Sequence, residues 1–147
     1  MKRKKLAIAA LAASLAVGTL AAQPAKAAST SLVIGSVLDI DKLDPHTATN
    51  FATVRALGLV YSSLVEVGPG NKLKTGLASS WSFNAAGTQL RLVLRQGVKF
   101  HDGSTFDATD AKASIERILD TKTAAAGRAN LTTITSIVAS GRNLTLN

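Results

Sequence analysis

The strongest constraint on the fold is a strand signal that leads through a turn into a helix signal. In residues 90–95 every second residue is leucine, so one face of an extended segment is apolar and the other mostly charged, as in a half-buried strand. The His-Asp-Gly sequence at 101–103 has the residues of a turn. Asp107, with Asp110 three residues later, forms a variant of the capping box in front of an apolar stripe. We therefore predict a strand, a turn and a helix over about 108–119.

The N-terminus has the layout of a secretory signal peptide. Four consecutive basic residues at 2–5 precede an apolar run over 6–22, and Ala-Lys-Ala at 25–27 is a small-x-small cleavage site. The apolar run is shorter than the ~20 residues of a membrane-spanning helix, which disfavours a transmembrane anchor. We predict a signal peptide that ends at Ala27 and is cleaved before Ala28.

Composition outside that segment disfavours a nucleic-acid partner and a lipid anchor. The formal net charge of the full sequence is +8, from 17 Lys and Arg against nine Asp and Glu. Five of these basic residues belong to the signal peptide, which leaves +3 and no basic cluster. The sequence has no cysteine, and therefore no disulfide and no thiol to carry a lipid. We expect a soluble exported protein, periplasmic where the cell has an outer membrane, that binds no nucleic acid.

A first strand, a stiff corner and a helix are predicted next. Residues 31–37 are apolar and rich in β-branched side chains, a pattern typical of a strand buried on at least one face. Pro45 keeps the residue before it out of the helical region, so Leu-Asp-Pro-His at 43–46 should form a corner. Thr49 or Asn50 can then cap a helix. The predicted inward face of this helix has helical spacing and consists of Phe51, Val54, Leu57, Gly58, Tyr61 and Leu64.

Hairpins account for most of the remaining sequence. Gly-Pro-Gly-Asn at 68–71 should turn one hairpin, and Asn-Ala-Ala-Gly at 84–87 should join an extended piece containing Trp81 to the leucine-rich strand. Trp81 is either a platform on which a ligand stacks or a core anchor that fixes strand register, and we favour the core. Two last strands are predicted over 132–139 and 143–147. The final one has no following partner, so we expect an unpaired edge there and a chain that is the beginning of a longer protein.

Four stretches occur in the order and spacing of a known family. They are Leu-Asp-Pro-His at 43–46, Val-Tyr-Ser-Ser-Leu-Val at 60–65, Leu-Ala-Ser-Ser-Trp at 77–81, and Leu-Arg-Gln-Gly-Val-Lys-Phe-His-Asp-Gly at 94–103 with Phe106. The sequence over residues 32–147 thus resembles the extracytoplasmic solute-binding proteins of the oligopeptide, dipeptide and nickel class, bacterial solute-binding protein family 5. Two departures, Ser80 where the family usually has Glu and Asp107 where Thr is frequent, alter no role to which we can assign chemistry.

The resemblance implies an α/β chain that is part of a two-lobed periplasmic-binding-protein fold, type II, of the extended class with an extra β-rich subdomain. It would be truncated after the first portion, with a signal peptide over residues 1–27 and the N-terminal part of the first lobe and its subdomain over residues 28–147. The implied function is capture of a peptide or another small solute outside the cytoplasm and delivery to the permease subunits of an ABC importer. No cofactor is implied.

The resemblance also implies ligand contacts just after the corner at 43–46, which correspond to Thr49, Asn50 and Phe51. A proline-stiffened loop that ends at a helix N-terminus exposes free N–H groups toward whatever lies in front of it. The alternative is that Thr49 and Asn50 only cap the helix and that Phe51 only packs, and the sequence leaves both possibilities open.

An enzyme is the main competing class, and the sequence disfavours it. Gly-x-Ser-x-Gly, His-Glu-x-x-His and cysteine are all absent, and the only histidines are His46 and His101. These histidines with Asp44 and Asp102 could ligate a metal, but such pairs in turns are common as local hydrogen-bonding groups. We predict no catalytic and no metal site. A ligand sensor for a signalling receptor, or a non-functional truncated fragment, remain alternatives to transport.

Overall fold

The computed structural model describes residues 31–35 and 38–147. The predicted signal peptide and its cleavage site lie outside the described residues. The chain divides into two units, Met1–Ile34 and Gly35–Asn147, and all helices and strands described below belong to the second. None of the helices in the described ranges has the length and hydropathy that a bilayer crossing requires.

The second unit contains two α-helices and six β-strands in the described residues. Three short 3₁₀ segments, Pro69–Asn71, Thr121–Thr123 and Arg128–Leu131, lie in its connections. The elements in chain order are α1 (Phe51–Leu57), β1 (Val65–Val67), β2 (Leu73–Thr75), β3 (Ala78–Phe83), β4 (Leu90–Leu94), α2 (Ala108–Leu119), β5 (Ile137–Ser140) and β6 (Asn143–Leu146).

A four-stranded antiparallel sheet with the order β3-β4-β6-β5 forms the centre of the unit. The predicted leucine alternation in β4 is confirmed, because Leu92 and Leu94 are buried while Arg91 is exposed. Leu92 pairs with Trp81 of β3 on one side and with Leu144 of β6 on the other. Trp81 is half-buried and packs against the core, in agreement with the predicted core role. The buried core residues are Ala78, Leu92, Leu94, Ala108, Ala111, Ile115 and Leu144.

Helix α2 has the predicted bounds and covers the sheet. The Asp107 side chain accepts a hydrogen bond from the Thr109 N–H at 2.6 Å, and the Asp107 N–H donates to the Asp110 carboxylate at 2.9 Å, so the capping box is complete. Ala111 and Ile115 are buried in the core with β4 and β6. The helix therefore begins where its sequence signal predicts and buries the predicted face.

The turn between β4 and α2 is also as predicted. Gly103 has a φ of +88°, a conformation that glycine adopts without strain. The Asp102 carboxylate accepts hydrogen bonds from the N–H and hydroxyl groups of Ser104, which closes the turn locally. Phe100 and Phe106 meet edge to face with ring centroids 5.8 Å apart. His101 and Asp102 are therefore part of a structural turn.

Two strand predictions need correction. Residues 31–35 form no strand, and Leu32, Val33 and Ile34 are exposed, because a β-prone segment becomes a strand only when another strand supplies hydrogen bonds. Residues 36 and 37 lie outside the described residues. The predicted strand over 132–139 begins only at Ile137, after a 3₁₀ turn.

The unpaired edge expected at the final strand is also wrong. Strand β6 lies inside the sheet, with β4 on one side and β5 on the other. The long connection through α2 brings β6 back beside β4, so β3 and β5 are the edge strands. Sequence proximity had suggested a simple terminal hairpin.

The predicted hairpin at 68–71 is confirmed as the two-stranded sheet of β1 and β2, with Glu66 and Lys74 paired across it at 2.8 Å. Gly76 lies where this hairpin joins β3. A Cβ added at Gly76 would lie 2.2 Å from the Ser63 carbonyl oxygen. That close approach is maintained by the hydrogen bond from the Leu77 N–H to the same oxygen at 2.8 Å.

Replacing Gly76 with alanine should therefore destabilise the protein. Overpacking against a backbone carbonyl costs about 1–3 kcal/mol of unfolding free energy, measurable by chemical denaturation. Gly127→Ala is the matched control, because Gly127 has a φ of −85° and open space around its Cβ position. Equal stability of the two variants would contradict the close approach at Gly76.

Candidate functional site

The three residues predicted to contact ligand lie together at the N-terminus of α1. Asn50 is the N-cap, and its side-chain oxygen accepts a hydrogen bond from the Ala52 N–H at 2.9 Å. Thr49 is exposed and Phe51 is 74% exposed. The Arg55 guanidinium lies 5.9 Å from the centroid of the Phe51 ring. The capping role of Asn50 is thus observed, whereas Phe51 does not pack into the core.

Helix α1 is shorter than predicted and turns a different face inward. It ends at Leu57, and Leu59, Val60 and Tyr61 follow it as exposed residues without helical structure. Its buried residues are Leu57 and Thr53. The predicted apolar face is wrong for Phe51, Val54 and Tyr61. The face that α1 buries is the one whose Thr53 forms hydrogen bonds with Asp41, and it does not follow the apolar spacing.

Thr53 joins α1 to the chain segment before the corner. It is fully buried, and its hydroxyl donates to the Asp41 carboxylate at 2.5 Å while accepting from the Asp41 N–H at 3.1 Å. This hydrogen bond from Thr53 lowers the pKa of Asp41. The Tyr61 hydroxyl donates to the Leu43 carbonyl at 3.2 Å. The segment and the helix therefore brace each other on both sides of the corner.

The corner at 43–46 is held by Arg117 of α2, which lies 73 positions after Asp44 in the sequence but contacts it directly. The two terminal nitrogens of Arg117 donate to the two carboxylate oxygens of Asp44, at 2.9 and 2.5 Å. Such a bidentate pair fixes orientation as well as distance. The hydrogen bond from Arg117 and a second from the His46 N–H hold the pKa of Asp44 well below its usual range.

His46 completes this contact with α2. Arg117 Nη1 lies 2.6 Å from His46 Nδ1, and the Ser114 hydroxyl lies 3.2 Å from Nε2. Because a guanidinium can only donate, Nδ1 must accept and the proton of the neutral imidazole is on Nε2. Burial, followed by the charge of Arg117, lowers the pKa of His46, with Asp44 opposing both. We call Asp44, His46, Ser114 and Arg117 the corner clamp.

The corner clamp looks superficially like a serine hydrolase triad, but its hydrogen bonds run the wrong way. In such a triad a carboxylate accepts from His Nδ1–H, and the free Nε2 takes the serine proton. Here Nδ1 faces Arg117, so Nε2 carries the proton and has no capacity to accept another. Among the described residues no group of three or more His, Cys, Asp or Glu could hold a metal ion. The arrangement favours binding over catalysis.

A shallow groove adjoins the corner on its apolar side. It has a volume of about 240 Å³ and is lined by Pro45, Val54, Leu57, Gly58, Tyr61 and Ser63. The apolar side chains exposed in this region are Leu38, Ile40, Leu43, Phe51, Val54, Leu59, Val60 and Tyr61. Val54, which lines this groove, lies three residues after Phe51, about one turn along α1.

Sequence reasoning identified the corner but missed its partners. Asp44 and His46 were interpreted as local turn groups or metal ligands, whereas their side chains contact residues 68 to 73 positions away. The available signal was weak: Ser114 and Arg117 lie three residues apart and so share a face of α2.

Replacing Asp44 or Arg117 should lower the free energy of unfolding, and the two losses should not be additive. A double-mutant cycle with Asp44→Ala and Arg117→Ala, measured by chemical denaturation, should give a favourable coupling energy. The control is the cycle for Lys112 and Glu116, a single i,i+4 contact of 3.7 Å on the same helix, which should couple more weakly. A coupling at Asp44–Arg117 no larger than in this control would contradict the role of the clamp.

Comparison with known proteins gives consistent matches. Residues 72–143 match the family described as bacterial extracellular solute-binding proteins, family 5, middle region. The glutathione-binding protein GsiB of Salmonella paratyphi A is 35% identical over 108 residues, which are 73% of this chain and 21% of that protein. The chain thus spans about a fifth of the length of the curated relatives it matches.

Solved structures agree with this match. NikZ from Campylobacter jejuni, in complex with Ni(L-His), superposes with a TM-score of 0.69 at 28% identity, over 75% of this chain and 22% of that one. AgaA from A. tumefaciens R10, in complex with agropinic acid, superposes with a TM-score of 0.57 at 36% identity, over 60% and 18% respectively.

These structures confirm the predicted fold class, a portion of the periplasmic-binding-protein fold. Family 5 proteins bind solutes without catalysing a reaction, in agreement with the prediction that the chain is not an enzyme. The family match and these relatives support the predicted resemblance to the bacterial extracellular solute-binding proteins of family 5.

Proposed function

We propose that this chain is the N-terminal part of the solute-binding component of an ABC importer, which captures a small solute outside the cytoplasm and passes it to membrane permease subunits. The similarity to family 5 solute-binding proteins supports this role. The observation that carries the proposal at the level of residues is the exposed turn at the start of α1, held in place by bonds on both sides. Exposed side chains on a braced backbone lose little entropy when a ligand binds.

Thr49, Asn50 and Phe51 are the proposed solute contacts within this chain. Phe51 offers an aromatic face that is 74% exposed, and Thr49 offers a hydroxyl with no hydrogen bond to any described residue. The Asn50 side-chain oxygen is engaged in capping, and its amide lies 3.5 Å from the Asp39 carbonyl. Asn50 would therefore act mainly by fixing the turn, and the direct contacts would come from its two neighbours.

A peptide is the solute that we propose first. The relatives named above bind glutathione, a nickel–histidine complex and agropinic acid, and the first two are a peptide and an amino-acid chelate. An exposed aromatic ring and an exposed hydroxyl, with an apolar groove on the same helix, suit the side chains and polar backbone of a short peptide. We propose a peptide or another amino-acid derivative as the cargo.

Export is the proposed route to the site of action, with the mature protein in the periplasm. Expression of the full reading frame in a Gram-negative host should yield a periplasmic product whose first residue is Ala28, as read by N-terminal sequencing. A product retained in the membrane with Met1 in place would overturn the proposal that residues 1–27 are a cleaved signal peptide.

Phe51→Ala should weaken solute binding by the complete protein encoded at this locus. Isothermal titration calorimetry with glutathione, unmodified tripeptides and nickel–histidine would identify a bound solute and measure the change. Loss of one aromatic contact predicts a decrease of about two- to tenfold in affinity.

The matched control for this experiment is Phe83→Ala. Phe83 is also an exposed phenylalanine but lies on edge strand β3, and its removal should leave affinity unchanged. Equal effects of the two substitutions would refute the proposed contact, and absence of binding to every compound would count against the proposed solute class.

A further inference from the structure

Three features tie the solute-binding turn to the state of His46. The Thr47 and Ala48 N–H groups both point to the Asp44 carbonyl, at 3.4 and 3.1 Å, and the His46 carbonyl accepts from the Ala126 N–H at 3.0 Å. Ala48 is buried. Thr47 and Ala48, which link the corner to the proposed contacts at 49–51, are therefore held to it, so a shift of the corner would be passed on to those contacts.

The corner clamp tolerates only one charge state of His46. Arg117 Nη1 has two hydrogens, and its contacts use one toward Asp44 and one toward Nδ1 of His46. His46 Nδ1 lies 2.6 Å from Arg117 Nη1. Protonation of Nδ1 would place two hydrogens between these nitrogens and bring two positive charges together. The contact with Arg117 would then be lost or rearranged.

The charges around His46 reinforce this reading. The ionic groups acting on the ring are Arg117 from α2 and Asp44 from its own corner. Elsewhere on α2, Lys112 and Glu116 pair with each other. Arg128, beyond the segment containing Ala126, donates to the Leu119 carbonyl. Arg117 therefore supplies the one positive charge in direct contact with the imidazole among the described residues.

We propose that Arg117 is a positioning residue that, with Ser114, holds the corner and the adjoining turn at 49–51 only while His46 is uncharged, so that solute affinity falls on acidification. The effect on affinity rests on the proposed function, whereas the release of the turn does not. Burial and Arg117 both lower the pKa of His46 below its ordinary 6.5. The clamp therefore contributes fully to stability above the ordinary pKa of 6.5, and this contribution is lost as the pH falls through the lowered pKa of His46 in the folded protein.

Amide hydrogen exchange of the complete protein tests the release directly. Protection of residues 47–52, corrected for the intrinsic exchange rate, should fall by about twofold or more between about pH 7.5 and about pH 4.5. A twofold change is about the smallest effect expected between groups that share one hydrogen-bond network. His46→Asn retains an acceptor near the Nδ1 position and does not titrate, so its protection should be equal at both pH values. His101→Asn is the matched control and should behave as the unsubstituted protein.

Two further measurements keep the inference falsifiable if His46→Asn fails to fold. Nitrogen-15 NMR of the unsubstituted protein at neutral pH should show His46 with its proton on Nε2, and a proton on Nδ1 would overturn the inference. In Arg117→Met the pKa of His46 should move up toward its ordinary value, because the positive charge beside Nδ1 is removed while Asp44 remains. Unchanged protection at both pH values in the unsubstituted protein would also overturn it.

Measuring solute affinity at the two pH values separates the proposed solute binding from the proposed control of affinity by the corner clamp. With glutathione as the probe, affinity of the unsubstituted protein should decrease at the lower pH and that of His46→Asn should not, beyond changes common to both. Binding that is equally pH-dependent in both proteins would refute the clamp as a control of affinity while supporting solute binding. Absence of glutathione binding at either pH would count against this solute, and hydrogen exchange would still decide the release of the turn.

Discussion

The packing of α2 against the sheet is the contact on which both the fold and the candidate site depend. One face of the helix buries Ala111 and Ile115 against the leucines of β4 and β6. Ser114 and Arg117, on another part of its surface, hold the corner that precedes α1. A displacement of the helix would therefore disturb the hydrophobic core and the proposed solute-binding turn together.

This arrangement uses two different kinds of interaction for two different tasks. The apolar contacts are non-directional and scale with buried area, so they supply stability without defining one orientation. The bidentate contact of Arg117 with Asp44 is directional and partly exposed, so it contributes less stability than the core but fixes the angle at which the chain enters α1. The stiff Asp44–Pro45 bond suits this second task, because proline has already removed most of the freedom of the corner.

Local signals explain which parts of the fold could be predicted. Helix α2 was predicted with correct bounds, and strand β4 with its correct start and alternation, because a capping box and a two-residue alternation are encoded within a few positions. Residues 31–35 and the extent of α1 were predicted wrongly, because apolar periodicity cannot show whether a partner is present to bury it. The sheet order was also missed, since the position of β6 beside β4 depends on contacts about fifty residues apart.

The candidate site was predictable to a similar degree and for the same reason. Asn50 was recognised as a possible cap from its place after the corner, and the structure shows that cap. The clamp was not recognised, because nothing near Asp44 or His46 in sequence specifies a partner more than sixty residues away.

The polarity of the clamp bears on why a binding role suits this site better than a catalytic one. A catalytic histidine needs a free nitrogen and a tunable proton at the reacting atom, whereas both nitrogens of His46 are engaged with α2. The imidazole of His46 and the hydroxyl of Ser114 hold the backbone of the corner in place. The exposed side chains of Thr49 and Phe51 have no reactive partner among the described residues. The proposed site would suit reversible capture, because a turn that is organised before the solute arrives loses less of the binding free energy to ordering the protein.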